Sequence, residues 1–444
     1  MSKWLRPSLH ADCALIPLRL NPSGCSKLYN GVSVSDRCSP RYTRAAAARE
    51  NADEASAAHS RGCRWKCWRL PRILKGALER KLACRDSLPA GLLSIASLVV
   101  TGIADLANDQ RPTTNDVILQ DKFGRAITDL RISITDRCNY KCVYCRTGNE
   151  GALYGDLPFS DYLRMARVLV GMGITKVRLT GGEPLLRNGV VEFVRQLSKL
   201  QPLSGTLDIA LTTNGHLLAD VAQPLKDAGL SRVTVSMDAV DPDRFARITR
   251  VPGGYDHVLA GIRTARDAGL GPVKVNCVLL RGFNEDQIIP FGMFAREEDV
   301  IVRFIEFMPL EEDRVWSPST VVTLDEILAR MAEYRPLVEI PRARSETARR
   351  YRFDDGIGEI GIIAPVSHPF CGHCSRIRIT SDGKIRTCLF SVWDHDLHAQ
   401  MRRGASDDEL AEFICGVVQK KEERHHIGEP DFVPASRTMV HIGG

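Results

Sequence analysis

The sequence predicts an α/β fold, a partial barrel of six βα units followed by a smaller α+β extension. Three observations lead there. From about residue 115 to 320, apolar strand-like runs alternate with amphipathic helical stretches. The short loops between them suit parallel strands covered by helices. After about residue 320 the runs shorten. Finally, the segments rich in cysteine, glycine or acidic residues fall just after strand-like runs, the end where such folds place their active sites.

In order, strands are expected at 130–134, 176–180, 208–212, 232–237, 273–279 and 301–307. Helices separate them near 160–172, 188–199, 218–228, 241–249 with 256–268, and 285–297. The first run leads into a cysteine-rich loop and the second into Gly181-Gly-Glu-Pro184. The third leads into Thr212-Thr-Asn-Gly215, the fourth into Ser236-Met-Asp238. Beyond the barrel, a helix near 323–334 precedes strand-like pieces at 351–353, 359–363, 376–380 and 384–386, then a helix near 407–420. This part is too small to build a good core alone and is expected to pack across the barrel. The expected division is an N-terminal extension at 1–110, the barrel at 111–320 and the C-terminal extension at 321–444.

The net charge of +6 on 444 residues is unevenly spread. Residues 1–110 hold 17 Lys and Arg against 9 Asp and Glu, whereas residues 111–444 hold 43 against 45. The body therefore offers no global electrostatic reason to bind nucleic acid. The leader is rich in Arg, Ala and Ser but carries scattered acids, unlike a transit peptide, and it shows no secretory signal. It reads as a disordered or non-native extension. Ser87 to Ala104 is uncharged over 18 residues, but Pro89, Gly91 and Gly102 weaken it as a membrane span. The expected location is cytoplasmic, with no membrane contact.

Of 14 cysteines, eight lie in the body, and six of these form two tight triads. That pattern indicates metal ligation in a reducing compartment and not a disulfide framework. Cys138, Cys142 and Cys145 give C-x3-C-x2-C on one short loop, one thiolate fewer than a closed zinc or iron–sulfur site needs. A cubane cluster held by three cysteines keeps one iron open to a small molecule. A zinc loop with a distant fourth ligand is the plainer alternative. Cys371, Cys374 and Cys388 give a second triad, C-x2-C-x13-C, which His368 or His373 could complete as a zinc site. Cys277 and Cys415 read as small core residues.

Arg131, Lys176, Arg178, Lys274 and Arg303 lie on expected strands, where charge buried on both faces is costly unless it lines a cavity. Each alone could be a solvated strand end. Five on neighbouring strands favour an anion pocket, and arginine forks suit phosphates. Arg376 and Arg378, two residues apart, share one strand face beside the second triad. Like charges there call for an anionic partner or open solvent. Glu183, Asp238 and Glu306 are read as structural hydrogen-bonding groups.

The two triads, Leu179-Thr-Gly-Gly-Glu-Pro-Leu-Leu-Arg187, Arg303-Phe-Ile-Glu-Phe-Met308 and the final Gly443-Gly444 closely resemble the GTP 3′,8-cyclases of molybdenum cofactor biosynthesis. These belong to the radical S-adenosylmethionine (SAM) superfamily, and the resemblance covers residues 120–444. It implies a barrel of the radical SAM type and a lyase that converts GTP to (8S)-3′,8-cyclo-7,8-dihydroguanosine 5′-triphosphate, the first step of the pathway. It implies two [4Fe–4S] clusters, one on Cys138, Cys142 and Cys145 for SAM, the other on Cys371, Cys374 and Cys388 for the substrate. By the same resemblance, Tyr144, Gly182, Ser236 and Met308 would line SAM. Arg131, Lys176, Arg178, Thr212, Lys274, Arg303, Arg376 and Arg378 would contact GTP. Arg376, Arg378, Gly443 and Gly444 would serve catalysis.

In that family's chemistry a 5′-deoxyadenosyl radical takes the ribose 3′ hydrogen and the sugar radical attacks C8 of guanine. Such a radical needs a closed cavity. The resemblance further implies an external one-electron donor and a downstream cyclic pyranopterin monophosphate synthase, and it leaves room for a homodimer. One departure is visible: the family usually follows the third cysteine with Met-Pro and a longer loop, where this chain has Arg146-Thr147-Gly148. Two other readings stand beside it. One is a two-cluster radical SAM peptide-modifying or maturase enzyme, the other a non-catalytic iron–sulfur or metal-binding scaffold.

Overall fold

Six parallel strands make the centre of the sheet: β1 (Asp129–Ser133), β2 (Lys176–Thr180), β3 (Asp208–Thr213), β4 (Arg232–Ser236), β5 (Lys274–Leu279) and β6 (Ile301–Glu306). The computed structural model describes residues 118–145, 153–311, 315–343 and 345–442. The leader with its uncharged run, the Arg146-Thr147-Gly148 stretch and Gly443-Gly444 lie outside the described residues.

Between the strands run α1 (Phe159–Gly171), α2 (Val190–Leu197), α3 (Leu218–Asp227), α4 (Pro242–Thr249), α5 (Gly254–Asp267) and α6 (Ile288–Glu297). Their faces follow from apolar spacing. In α1, Tyr162, Met165, Ala166 and Leu169 are buried at helical intervals. Start signals are local: Asp241 caps α4 by accepting the Arg244 N–H at 2.7 Å, and Pro242 follows it. On the strands, Leu130, Ile132, Val177, Leu179, Val233, Val235, Val302 and Phe304 are fully buried on one face. Truncating such a residue to alanine costs about 2–5 kcal/mol. The helix-packed face thus holds the barrel together, and the alternate positions are left to polar residues.

The C-terminal segment adds α7 (Leu324–Tyr334), which starts on a Thr323–Glu326 capping box, and the strands β7 (Leu337–Ile340), β8 (Arg349–Phe353) and β9 (Glu359–Ile363). β10 (Arg376–Ile379), β11 (Lys384–Arg386), β12 (His395–Asp396), α8 (Leu397–Arg402), α9 (Asp407–Val418) and α10 (Met439–Ile442) complete it. It does not simply lie across the barrel. It prolongs the barrel's own sheet at both edges, with β10 parallel to β1 and β9 parallel to β6. The strand order is β12-β11-β10-β1-β2-β3-β4-β5-β6-β9-β8-β7, and the sheet stays open between β12 and β7. The physical reason is that β1 and β6 are open edges whose backbone groups need partners.

Glu306, fully buried, reinforces one seam. It accepts the N–H groups of Leu324 (3.1 Å), Val366 (2.8 Å) and Ser367 (2.9 Å), tying β6 to α7 and to the loop after β9. Among the described residues, no helix is long and apolar enough to cross a membrane.

Candidate active site

The first cysteine loop leaves the C-terminal end of β1 and is seated from two sides. On one side the Gly182 N–H donates to Thr135 O at 2.8 Å and the Glu183 N–H to Arg137 O at 2.7 Å. A Cβ at Gly181 or Gly182 would come within 2.2 Å of those same carbonyl oxygens, and Gly181 has φ +138°. Glycine is therefore required for the β2 turn to lie on the backbone leading into Cys138. On the other side Lys141 and Val143 donate to Thr249 O and Ile248 O at the end of α4, at 3.2 and 3.0 Å. Glu183 locks the turn to β3, receiving Thr213 Oγ1 at 2.8 Å and the N–H groups of Asn214 (2.6 Å) and Leu185 (2.9 Å). Asp238 accepts the Tyr144 hydroxyl at 2.7 Å and the Val278 N–H at 2.8 Å. These two carboxylates and Glu306 do structural hydrogen bonding.

The second triad sits on β10 and β11. Cys371 and Cys374 bracket a short turn before β10, and Cys388 follows β11. Arg125, buried near the barrel's N-terminal side of the chain, donates to Cys371 O at 2.9 Å and pins that turn. Lys421 Nζ donates to Arg376 O at 2.9 Å and to Thr387 O. Burial pushes the Cys374 thiol up, but Arg376 and Lys421 outweigh it and hold it down to about 6. Burial instead raises Cys371, Cys388 and, in the first triad, Cys142.

Because β10 lies beside β1, all six cysteines line one cavity. Their spacing separates the metal readings. A single tetrahedral zinc with Zn–S of about 2.3 Å needs its sulfurs under about 4 Å apart. Among the described residues, His426, Glu429 and Asp431 form the only three-ligand group whose ligand atoms all lie within 4.8 Å of one another. Neither cysteine triad is that tight, so both fit a larger cluster better than one ion. Cys277 is fully buried and Cys415 packs against the core.

Between the triads the lumen is basic. Arg131, Arg178, Thr212, Arg303, Arg376 and Arg378 all line the cavity. Arg178 donates to Thr212 Oγ1 and Thr234 Oγ1, both at 3.1 Å, and Arg303 donates to Asn276 Oδ1 at 3.0 Å. Among the described residues, no carboxylate reaches ion-pair distance of Arg131, Arg178, Arg303 or Arg376. Other basic residues of the sheet are paired, Lys176 with Asp129 at 3.3 Å and Arg232 with Asp208 at 2.6 Å. Burial and neighbouring arginines push Arg131 and Arg178 down to about 9 and Arg303 to about 10, and Arg378 is lowered as well. Such mutual repulsion in a buried lumen is relieved by an anion.

Lys176 and Lys274 lie outside the lining of the cavity; burial and Arg303 lower the Lys274 ammonium to about 8. Tyr144, Gly182, Ser236 and Met308 line it. α10 packs beside Leu310 and Phe390, and its Met439 reaches the cavity wall. Several contributors carry no sequence signal strong enough to single them out. Asn276 and Thr234 hold the arginines, Asn214 meets Asn139 at 2.7 Å, and Phe370 lies 5.1 Å from the Arg376 guanidinium. Strand parity could have found Asn276, which shares a face with Lys274.

Residues 132–295 match the model of the Radical SAM superfamily and residues 300–427 that of Molybdenum Cofactor Synthesis C. A protein of Rhodopirellula baltica named GTP 3′,8-cyclase is 42% identical over 340 residues, covering 74% of this chain and 93% of its own. One of the same name from Moorella thermoacetica is 42% identical over 330 residues, covering 73% of this chain and 100% of its own. Among solved structures, Streptococcus suis SuiB bound to S-adenosylmethionine aligns with 82% of this chain and 86% of its own at TM-score 0.49 and 15% identity.

Proposed function

Since the chain belongs to the GTP 3′,8-cyclase family, we propose that its basic lumen receives the triphosphate of GTP and that its two cysteine triads hold the clusters on either side. The protein is a radical SAM lyase of the first step of molybdenum cofactor biosynthesis, with two [4Fe–4S] clusters and SAM as cofactors. Bound at the two loops, the clusters and SAM supply the one-electron chemistry that removes a ribose hydrogen and joins the sugar to guanine C8.

This chain's own residues do the rest. Arg131, Arg178 and Arg303, with Thr212, orient the phosphates by charge-assisted hydrogen bonds. Lys274 stands one step below and adds to the field, whereas Lys176 is held by Asp129. Arg376 and Arg378 approach the substrate from the second-cluster side. Ser236, Met308, Gly182 and Tyr144 form the SAM side of the cavity. Gly443 and Gly444 follow α10, whose Met439 is already at the wall, and their proposed role is to complete the site. The same reading calls for an external one-electron reductant and a downstream synthase that consumes the cyclised nucleotide.

The observation that carries it is that Arg131, Arg178, Arg303 and Arg376, which meet no carboxylate among the described residues, line the cavity shared by the two cysteine triads. The test is anaerobic cluster reconstitution of the full chain, reduction with dithionite, and addition of SAM with GTP. 5′-Deoxyadenosine and a GTP-derived pterin, both dependent on GTP, are the expected products. 5′-Deoxyadenosine without the pterin would move the substrate to a peptide and overturn the GTP assignment.

A further inference from the structure

A second polar cleft opens beside the rim of the barrel, on the opposite face of β9 from the main cavity. Arg349 on β8 and its cross-strand partner Ile362 line it, while the next residue, Ile363, lines the main cavity. Its volume of about 530 Å³ falls in the range of about 300–1,000 Å³ typical of small-ligand sites. Arg342 and Arg349 provide cationic lining beside His368 and His373, and among the described residues no aspartate or glutamate lines it. Among the described residues, no carboxylate lies at ion-pair distance from Arg342 or Arg349. Arg350 next to them shows the contrast, held by Glu359 at 2.8 Å.

Position gives the cleft a direction. Thr347 and Phe370 line both it and the main cavity, and the Phe370 ring lies 5.1 Å from the Arg376 guanidinium. Thr347 and Phe370 thus form a wall shared by two arginine-lined surfaces. Arg342 donates to Glu346 O at 3.2 Å, and arginines that lack a carboxylate partner concentrate polyphosphate near themselves and raise association rates.

We propose that the rim cleft is a second anion site, one that captures the triphosphate of the incoming nucleotide before it passes into the main cavity. This rests on the GTP reading above. The cleft takes no part in the chemistry, so it acts on capture and leaves turnover of bound substrate alone.

The test compares the reconstituted full-length protein with its R342Q/R349Q variant. At low ionic strength the variant is expected to lose about fivefold in kcat/KM for GTP with kcat unchanged, and the gap closes at high salt. Separately, calorimetric titration with inorganic tripolyphosphate is expected to show two sites on the parent protein and one on the variant. R342K/R349K, which keeps the charge, should restore most of both effects and so separates a lost anion site from a damaged fold. Unchanged kcat/KM at low salt overturns the inference, as does a single tripolyphosphate site on the parent protein. An equal fall in kcat also overturns it, because the arginines would then act on a later step. If the parent protein yields no GTP-derived product, the GTP reading is what fails, and the tripolyphosphate stoichiometry still decides whether the cleft binds polyphosphate.

Discussion

Two layers of one lumen use the same residue types to opposite ends. In the lower layer Lys176 sits beside Asp129, and on the neighbouring strands Arg232 is held by Asp208. One inward position higher, Arg178 and Arg303 look onto threonine and asparagine oxygens, and Arg131 meets no carboxylate at ion-pair distance among the described residues. The lower layer neutralises itself, whereas the upper one holds a surplus of positive charge. The comparison teaches that the binding capacity resides less in the arginines than in the counter-ions withheld from them.

The largest effect that can break this comparison is on Arg178. Arg178→Met is expected to lower kcat/KM for GTP about 100-fold, since charge-assisted hydrogen bonds to phosphate are lost. Its thermal midpoint should stay level or rise, because a repelled buried charge is removed. A midpoint several degrees lower with unchanged KM would make the upper layer structural.

Next come the buried carboxyls above the arginines. Burial raises Glu183 to about 7 and Asp238 to about 6, from ordinary values of 4.5 and 3.8. A carboxyl that holds its proton more tightly when folded contributes stability at pH values below its unfolded value and loses it as pH climbs through the folded one. Unfolding free energy should therefore fall between about pH 4 and 7, by on the order of 3 kcal/mol for each carboxyl. E183Q should flatten the upper part of that drop in denaturant titrations across pH. A stability that climbs over this window would show that the hydrogen bonds to these carboxylates outweigh their burial.

Asp208→Asn sharpens the comparison from below. It breaks a partly exposed pair with Arg232 and should cost about 1 kcal/mol or less in urea unfolding, with KM for GTP within a few-fold of the parent. The smallest effect belongs to Lys176→Met, expected to shift stability by under about 0.5 kcal/mol. A tenfold rise in KM there would extend the phosphate site into the lower layer.

Much of this was legible in the chain. The six strands and their helices follow from period, and both cysteine triads and the basic strand positions are visible as spacing. What the sequence hides is pairing. Nothing local distinguishes Lys176, which meets Asp129, from Arg178, which meets no carboxylate among the described residues; register and side-chain reach decide it. Strand pairing of β10 with β1 and β9 with β6 is likewise set by open edges far away in sequence. Gly182 was legible as a turn glycine, but its reason, the Arg137 carbonyl against its Cα, exists only once two loops meet. Arg125 and Lys421, which fasten the second triad's backbone from opposite ends of the body, left no motif at all.

The seam between β1 and β10 also orders events in time. Asp129 pairs with Arg376, so translation has delivered nearly the whole barrel before one edge of its first strand is covered. Until then the nascent chain exposes an unpaired strand next to three thiols, a combination that favours association with other chains. Such distant contacts also form slowly. The chamber between the two triads has no second wall until the closing part of the chain has been made, and a chain cut short before residue 376 would present a barrel with one uncovered edge and only the first of its two cysteine triads complete.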